Sequence, residues 1–148
     1  MRFIPIFVLT FLLLTCGKDN FTTTPQLKYK SASAKTISGN QTLTIKLDLT
    51  DKEGDFSPLL GMKKTVAGCP TSDFMDTVTF SIPNEFIKTK GLRGEVDVIL
   101  DRIKRGSNSC FLPGGGIRPD TTVFSFWTRD KAGHVSDTTR TETIIILN

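Results

Sequence analysis

The sequence predicts an all-β fold, an antiparallel sandwich of about six to seven strands, on three observations. Apolar residues recur at every second position in several short runs; clusters rich in Gly, Asn, Asp and Pro separate those runs; and no window of about a dozen residues carries a helical apolar stripe. Composition is consistent with this. With 38% hydrophobic and 23% charged residues among 148, and a net charge of +4, the chain is neither disordered nor a collagen or coiled-coil fibre, and it is too short for a multidomain enzyme.

Leu27 to Ser31 reads as an edge strand. Leu43, Ile45, Leu47 and Leu49 alternate with Thr44, Lys46, Asp48 and Thr50, which is the clearest half-buried strand in the chain. Val78, Phe80 and Ile82 repeat the pattern, as do Val96, Val98 and Leu100. Val123 to Thr128 and Thr141 to Leu147 are β-branched and aromatic, as strands prefer. Turns are expected at Ser38–Asn40, Asp51–Asp55, Ala67–Pro70, Gly106–Asn108, Pro113–Gly116 and Lys131–Gly133, with one short helical turn over Asn84 to Lys90. Trp127 and several of the eleven Phe are expected to fill the core, and the segments Asp51 to Leu60 and Ser107 to Pro119 to form a contact surface of loops at one end.

The N-terminus differs from the rest. Met1-Arg2 is positive, residues 3 to 14 are apolar and uncharged, and Leu13-Leu14-Thr15-Cys16 closes the run with a small residue before a cysteine. Twelve helical residues span only about 18 Å, short of a bilayer core of roughly 30 Å. This pattern resembles the lipobox of bacterial lipoproteins. The resemblance implies cleavage before Cys16 and acylation of that cysteine, two or more chains being what gives stable anchorage. It divides the sequence into a signal peptide (1–15), a lipidated cysteine with a flexible tether (16–25) and a β-domain (26–148), in the cell envelope on the bilayer of the outer membrane.

A second resemblance covers residues 121 to 147. Phe124 to Asp137 (FSFWTRDKAGHVSD) is similar to the end of bacterial immunoglobulin-like domains, in which a strand runs into an Asp-x-Ala-Gly-Asn-x-Ser turn; His134 stands where Asn is usual. Leu49 to Asp55 resembles the Asp-rich segment after an early strand of such domains. Both resemblances imply an immunoglobulin-like sandwich, and neither implies an activity.

Few residues are candidates for chemistry. Asp51, Glu53 and Asp55 surround Gly54, and Asp130 lies in the other Asp-rich turn; oxygen-rich turns suit Ca²⁺, although Asp and Gly are also ordinary turn residues and no EF-hand register is present. No other cofactor is expected. Cys69 and Cys110 form a candidate disulfide if Cys16 carries lipid, with two free thiols as the alternative. The sole histidine, His134, is expected on an exposed turn, which argues against a Cys-His nucleophile. Asp76-Thr77-Val78, Asp120-Thr121-Thr122 and Asp137-Thr138-Thr139 resemble acceptor tripeptides for O-glycosylation in some Gram-negative envelopes, at Thr77, Thr121 and Thr138. Lys63-Lys64, Lys88 to Arg93 and Arg102 to Arg105 are expected at solvated strand ends, too sparse in interleaved aromatics for a nucleic-acid partner. The function expected is a non-enzymatic binding or structural module whose partner is an envelope protein or glycan. The alternatives are a Ca²⁺-binding adhesion module and a hydrolase of an envelope polymer using carboxylates such as Glu53, Asp55 or Asp101.

Overall fold

A computed structural model describes residues 22–38, 41–69, 73–79, 90–101, 116 and 118–147. Nine strands occur among them, and no helix. They are β1 (Gln26–Ala32), β2 (Thr36–Ser38), β3 (Leu43–Asp51), β4 (Phe56–Val66), β5 (Phe74–Thr79), β6 (Leu92–Leu100), β7 (Asp120–Asp130), β8 (Thr139–Arg140) and β9 (Ile144–Leu147). The sandwich has a three-stranded sheet in the order β1-β3-β6 and a larger sheet in the order β2-β9-β7-β4-β5, with β8 also paired to β7. Every pairing is antiparallel except β2 with β9.

The alternation in β3 decides which residues face inward. Leu43, Ile45, Leu47 and Leu49 are all buried, joined from the same sheet by Leu27, Leu92 and Val98. The larger sheet answers with Leu60, Met62, Phe124, Phe126, Ile144 and Ile146, and the rings of Phe124 and Phe126 stack with centroids 6.5 Å apart. At about 1.5–3 kcal/mol for each fully buried large side chain, this interface is the main source of stability.

Strand β4 departs from the expected loop over Asp51 to Leu60: only residues 52–55 connect β3 to β4. Its register against β7 shifts between Phe56 and Leu60, which breaks the apolar alternation that would reveal a strand. Further along, Lys64 points inward and is 0% exposed, its Nζ 2.7 Å from the buried Asp120 carboxylate on β7. The expectation of solvated lysines at 63 and 64 therefore fails at Lys64. A buried ammonium persists only where a carboxylate answers it.

The segment Thr22–Pro25, expected to belong to the tether, is held against the domain. Lys52 donates its N–H to the Thr22 carbonyl at 3.2 Å, and Pro25 is buried. Cys16 and the apolar run before it lie outside the described residues. No helix among the described residues is long and apolar enough to cross a membrane.

Candidate functional site: an aromatic pocket on the outer face of the larger sheet

The two Asp-rich turns do meet, because Lys131 donates its N–H to the Asp55 carbonyl at 2.9 Å and Phe56 pairs with Asp130. Their carboxylates, however, serve the turns. Asp51 is buried, and one of its oxygens accepts the Asp55 N–H at 2.9 Å while the other, Oδ1, has no hydrogen-bond partner among the described residues. Burial pushes the Asp51 carboxyl above its ordinary range, against the opposing effect of backbone N–H groups of Asp55 and Glu53. Asp130 is also buried, which by itself would raise it, yet hydrogen bonds from His134 bring it below its ordinary value. Asp130 Oδ1 accepts the His134 N–H at 2.7 Å, and Oδ2 lies 2.6 Å from Nδ1 of the same residue. Gly133, at φ 98°, closes this turn in a conformation that a side chain resists. Among the described residues no three His, Cys, Asp or Glu groups stand together as a metal-ligand set, Asp51, Glu53, Asp55 and Asp130 included.

Of the carboxylates considered for hydrolysis, Asp101 lies apart from the other two. Asp101 follows the end of β6 that pairs with Leu43, whereas Glu53 and Asp55 follow Asp51 at the other end of β3. Eight residue steps of about 3.3 Å separate those ends by about 26 Å, and paired-carboxylate hydrolysis needs roughly 5–9.5 Å. Asp101 accepts a hydrogen bond from Thr42 Oγ1 at 2.7 Å. Of the two loop segments expected at one end, residues 52–55 adjoin the Phe56–Asp130 end of the larger sheet, while Arg118 of the second contacts the Ala67 carbonyl at the Val66–Thr122 end. Most of the second segment lies outside the described residues. Cys69 is buried and disulfide-bonded, and the chain's other cysteines, Cys16 and Cys110, lie outside the described residues. Thr77, Thr121 and Thr138 are all exposed.

The most site-like feature among the described residues is one the sequence reading missed. On the outward side of the larger sheet, Thr77 of β5, Gly61 of β4 and Trp127 of β7 share one row across three strands. Gly61 has no side chain, and the indole of Trp127 lies over it so closely that an added Cβ would sit 2.1 Å from Cε2 and 2.3 Å from Nε1. Trp127, expected in the core, therefore caps a glycine on the outside; its β7 neighbours Phe126 and Thr128 are the ones that face inward. Trp127 and Gly61 together line a shallow pocket of about 360 Å³, at the small end of the roughly 300–1,000 Å³ usual for ligand sites.

Leu59 and Val135 form apolar walls and are 46% and 45% exposed. Ser57, Thr77, Arg129 and Lys131 supply the polar rim. Among the described residues, the Trp127 N–H, the two hydroxyls and the two cations have no hydrogen-bond or ion-pair partner. The one carboxylate lining the pocket is Asp130, and His134 occupies both of its oxygens. The next outward row adds Lys63 and Arg140, both paired in register with Ser125. The pocket is thus lined by one aromatic ring, rich in donors and cationic.

No family model matches this chain, and a search of curated proteins finds no match. Among solved structures the chain is similar to β-glucosidase from Listeria innocua in complex with gluconolactone, at 10% identity and a TM-score of 0.42. The likeness covers 84% of this chain and 16% of that one, so this chain spans about a sixth of that enzyme's length and the likeness carries no argument about activity or ligand.

Proposed function

We propose that the protein is a non-catalytic envelope lipoprotein, anchored through acylated Cys16, whose immunoglobulin-like sandwich acts as a binding module through the outer face of its larger sheet. The observation that carries this reading is the Trp127 pocket, where an aromatic plane is ringed by donors and cations left without partners among the described residues. The lipobox resemblance supports the anchor, and the chain after residue 21 leaves only a short tether between lipid and domain. The bridge at Cys69 is proposed to close on Cys110, leaving Cys16 for lipid.

The test uses the full chain expressed with its leader in a host that processes lipoproteins, crosslinked in place and purified. The expected result is a chain whose mass shows cleavage before Cys16 and acylation, and a reproducible envelope protein or glycan captured by the wild type but not by Trp127→Ala. Capture that is identical in both forms would overturn the assignment of this face, and an intact, unacylated N-terminus would overturn the anchor.

A further inference from the structure

The chemistry of the Trp127 pocket narrows its ligand. A flat indole face offers stacking to the C–H face of a sugar ring, as it would to any ring with a low-polarity face. Ser57 Oγ and Thr77 Oγ1 are hydroxyls suited to ring hydroxyl groups, and the Trp127 N–H, Arg129 and Lys131 can only donate. An occupant rich in acceptors and negatively charged completes that set, and a guanidinium is suited to bidentate contact with a carboxylate. Lys63 and Arg140 extend the positive charge along the same face, so a polymer carrying repeated carboxylates gains along its length. The pocket is open and shallow, which suits an internal segment of a chain.

We infer that the Trp127 pocket binds uronic-acid polysaccharide, with one sugar ring stacked on the indole and its carboxylate held by Arg129 and Lys131. This inference rests on the binding-module reading and adds the ligand class. Thr77 lines the same pocket, so a glycan on Thr77 Oγ1 would occupy it from within; the experiment therefore uses full chain whose measured mass shows no added sugar.

Trp127 is the only tryptophan in the chain and so reports directly on the site. The purified full-length chain is titrated with oligogalacturonate, oligomannuronate and hyaluronan oligomers, reading tryptophan emission and binding heat. Methyl-esterified oligogalacturonate supplies the same rings without charge, and inorganic polyphosphate supplies charge without rings. At least one uronate is expected to give saturable binding with a change in emission, weakening steeply with added salt. The methyl ester and the Arg129→Gln/Lys131→Gln variant should each bind about tenfold more weakly, equivalent to losing about 1.4 kcal/mol, and calorimetry with Trp127→Ala should detect no binding. The double variant alters no packed side chain, so its result stands even if Trp127→Ala fails to fold.

Absence of saturable binding to all three uronates would overturn the inference, as would equal affinity for polyphosphate or unchanged affinity in the double variant. If the uronates fail while Trp127-dependent capture from the envelope persists, the ligand class is wrong and the binding face stands. If both fail, the face itself is wrong.

Discussion

On the outside of the three-stranded sheet, Lys30 reaches Asp48 and Glu95, and Lys46 reaches Glu95 at 2.6 Å and Asp97 at 3.1 Å, so charges answer one another across β1, β3 and β6. Outside the larger sheet, Arg129 and Lys131 border Trp127 with no carboxylate in salt-bridge contact among the described residues. The inner side of that same larger sheet does pair its cation, since Lys64 is matched by Asp120. Pairing is therefore within reach of this fold on either sheet, and Arg129 and Lys131 on the Trp127 face do not use it. Paired surface charges have little left to offer a ligand, whereas unpaired ones in water cost almost nothing to keep.

The largest expected effect lies at the inner pair. Asp120→Ala leaves the Lys64 ammonium buried without a counter-charge and should cost about 3–5 kcal/mol in denaturant unfolding. The double replacement Lys64→Met/Asp120→Leu should recover most of that loss, because an apolar pair of similar volume removes the desolvation problem. A single mutant as stable as the wild type would show that the pair is not buried as described.

Next comes the glycine under the indole. Gly61→Ala places a Cβ where the ring now lies, so the ring must move; a cost of about 1–3 kcal/mol is expected together with a shift in tryptophan emission. Unchanged emission would mean that Trp127 does not rest on Gly61.

The charged ladder makes a pH prediction. Hydrogen bonds from Lys30 and Lys46 hold the Glu95 carboxyl down to about 2, below its usual 4.5. Its contribution to stability is thus present above about pH 4.5 and is lost as pH falls from there towards 2. Glu95→Gln should flatten that acid limb and, because Glu95 also raises Lys30 and Lys46, weaken the loss of stability on the alkaline side as well. An acid limb identical to the wild type would assign it to other carboxylates.

The smallest effect belongs to the Trp127 rim. Arg129→Gln/Lys131→Gln should change folding stability by no more than about 0.5 kcal/mol, since neither side chain is engaged with a partner. A larger loss would turn these residues into structural ones and remove the contrast between the two faces.

The contrast also explains what could be read from sequence. Strand β3 was legible because one of its faces meets the core and the other meets water, which prints period-2 alternation directly in Leu43 to Thr50. Its neighbour β4 was not, although it is central to the larger sheet: a register shift, Gly61 beneath an indole and a buried Lys64 each break the pattern, and each is explained only by a residue far away in sequence. The all-β sandwich could be inferred from strands of the first kind. The pocket could not, because Thr77, Gly61 and Trp127 become neighbours only through β5-β4-β7 pairing. A glycine directly after the Leu59-Leu60 pair in a β-prone stretch, together with a tryptophan at an outward position of an alternating strand, was the available signal. The Asp-rich turns read differently for the opposite reason: Asp51 and Asp130 attract attention as ligands, and one oxygen of each accepts a backbone N–H of its own turn.

Hydroxyl-radical footprinting of the full chain, free and bound to isolated envelopes, reads both faces at once. Trp127 and Met75, which is 67% exposed in the row beside Lys63, report on the larger sheet, and Ile99, 61% exposed on β6, reports on the ladder. Protection of Trp127 and Met75 on binding, with Ile99 oxidised as in the free chain, is the expected outcome. Protection of Ile99 with Trp127 still reactive would contradict it.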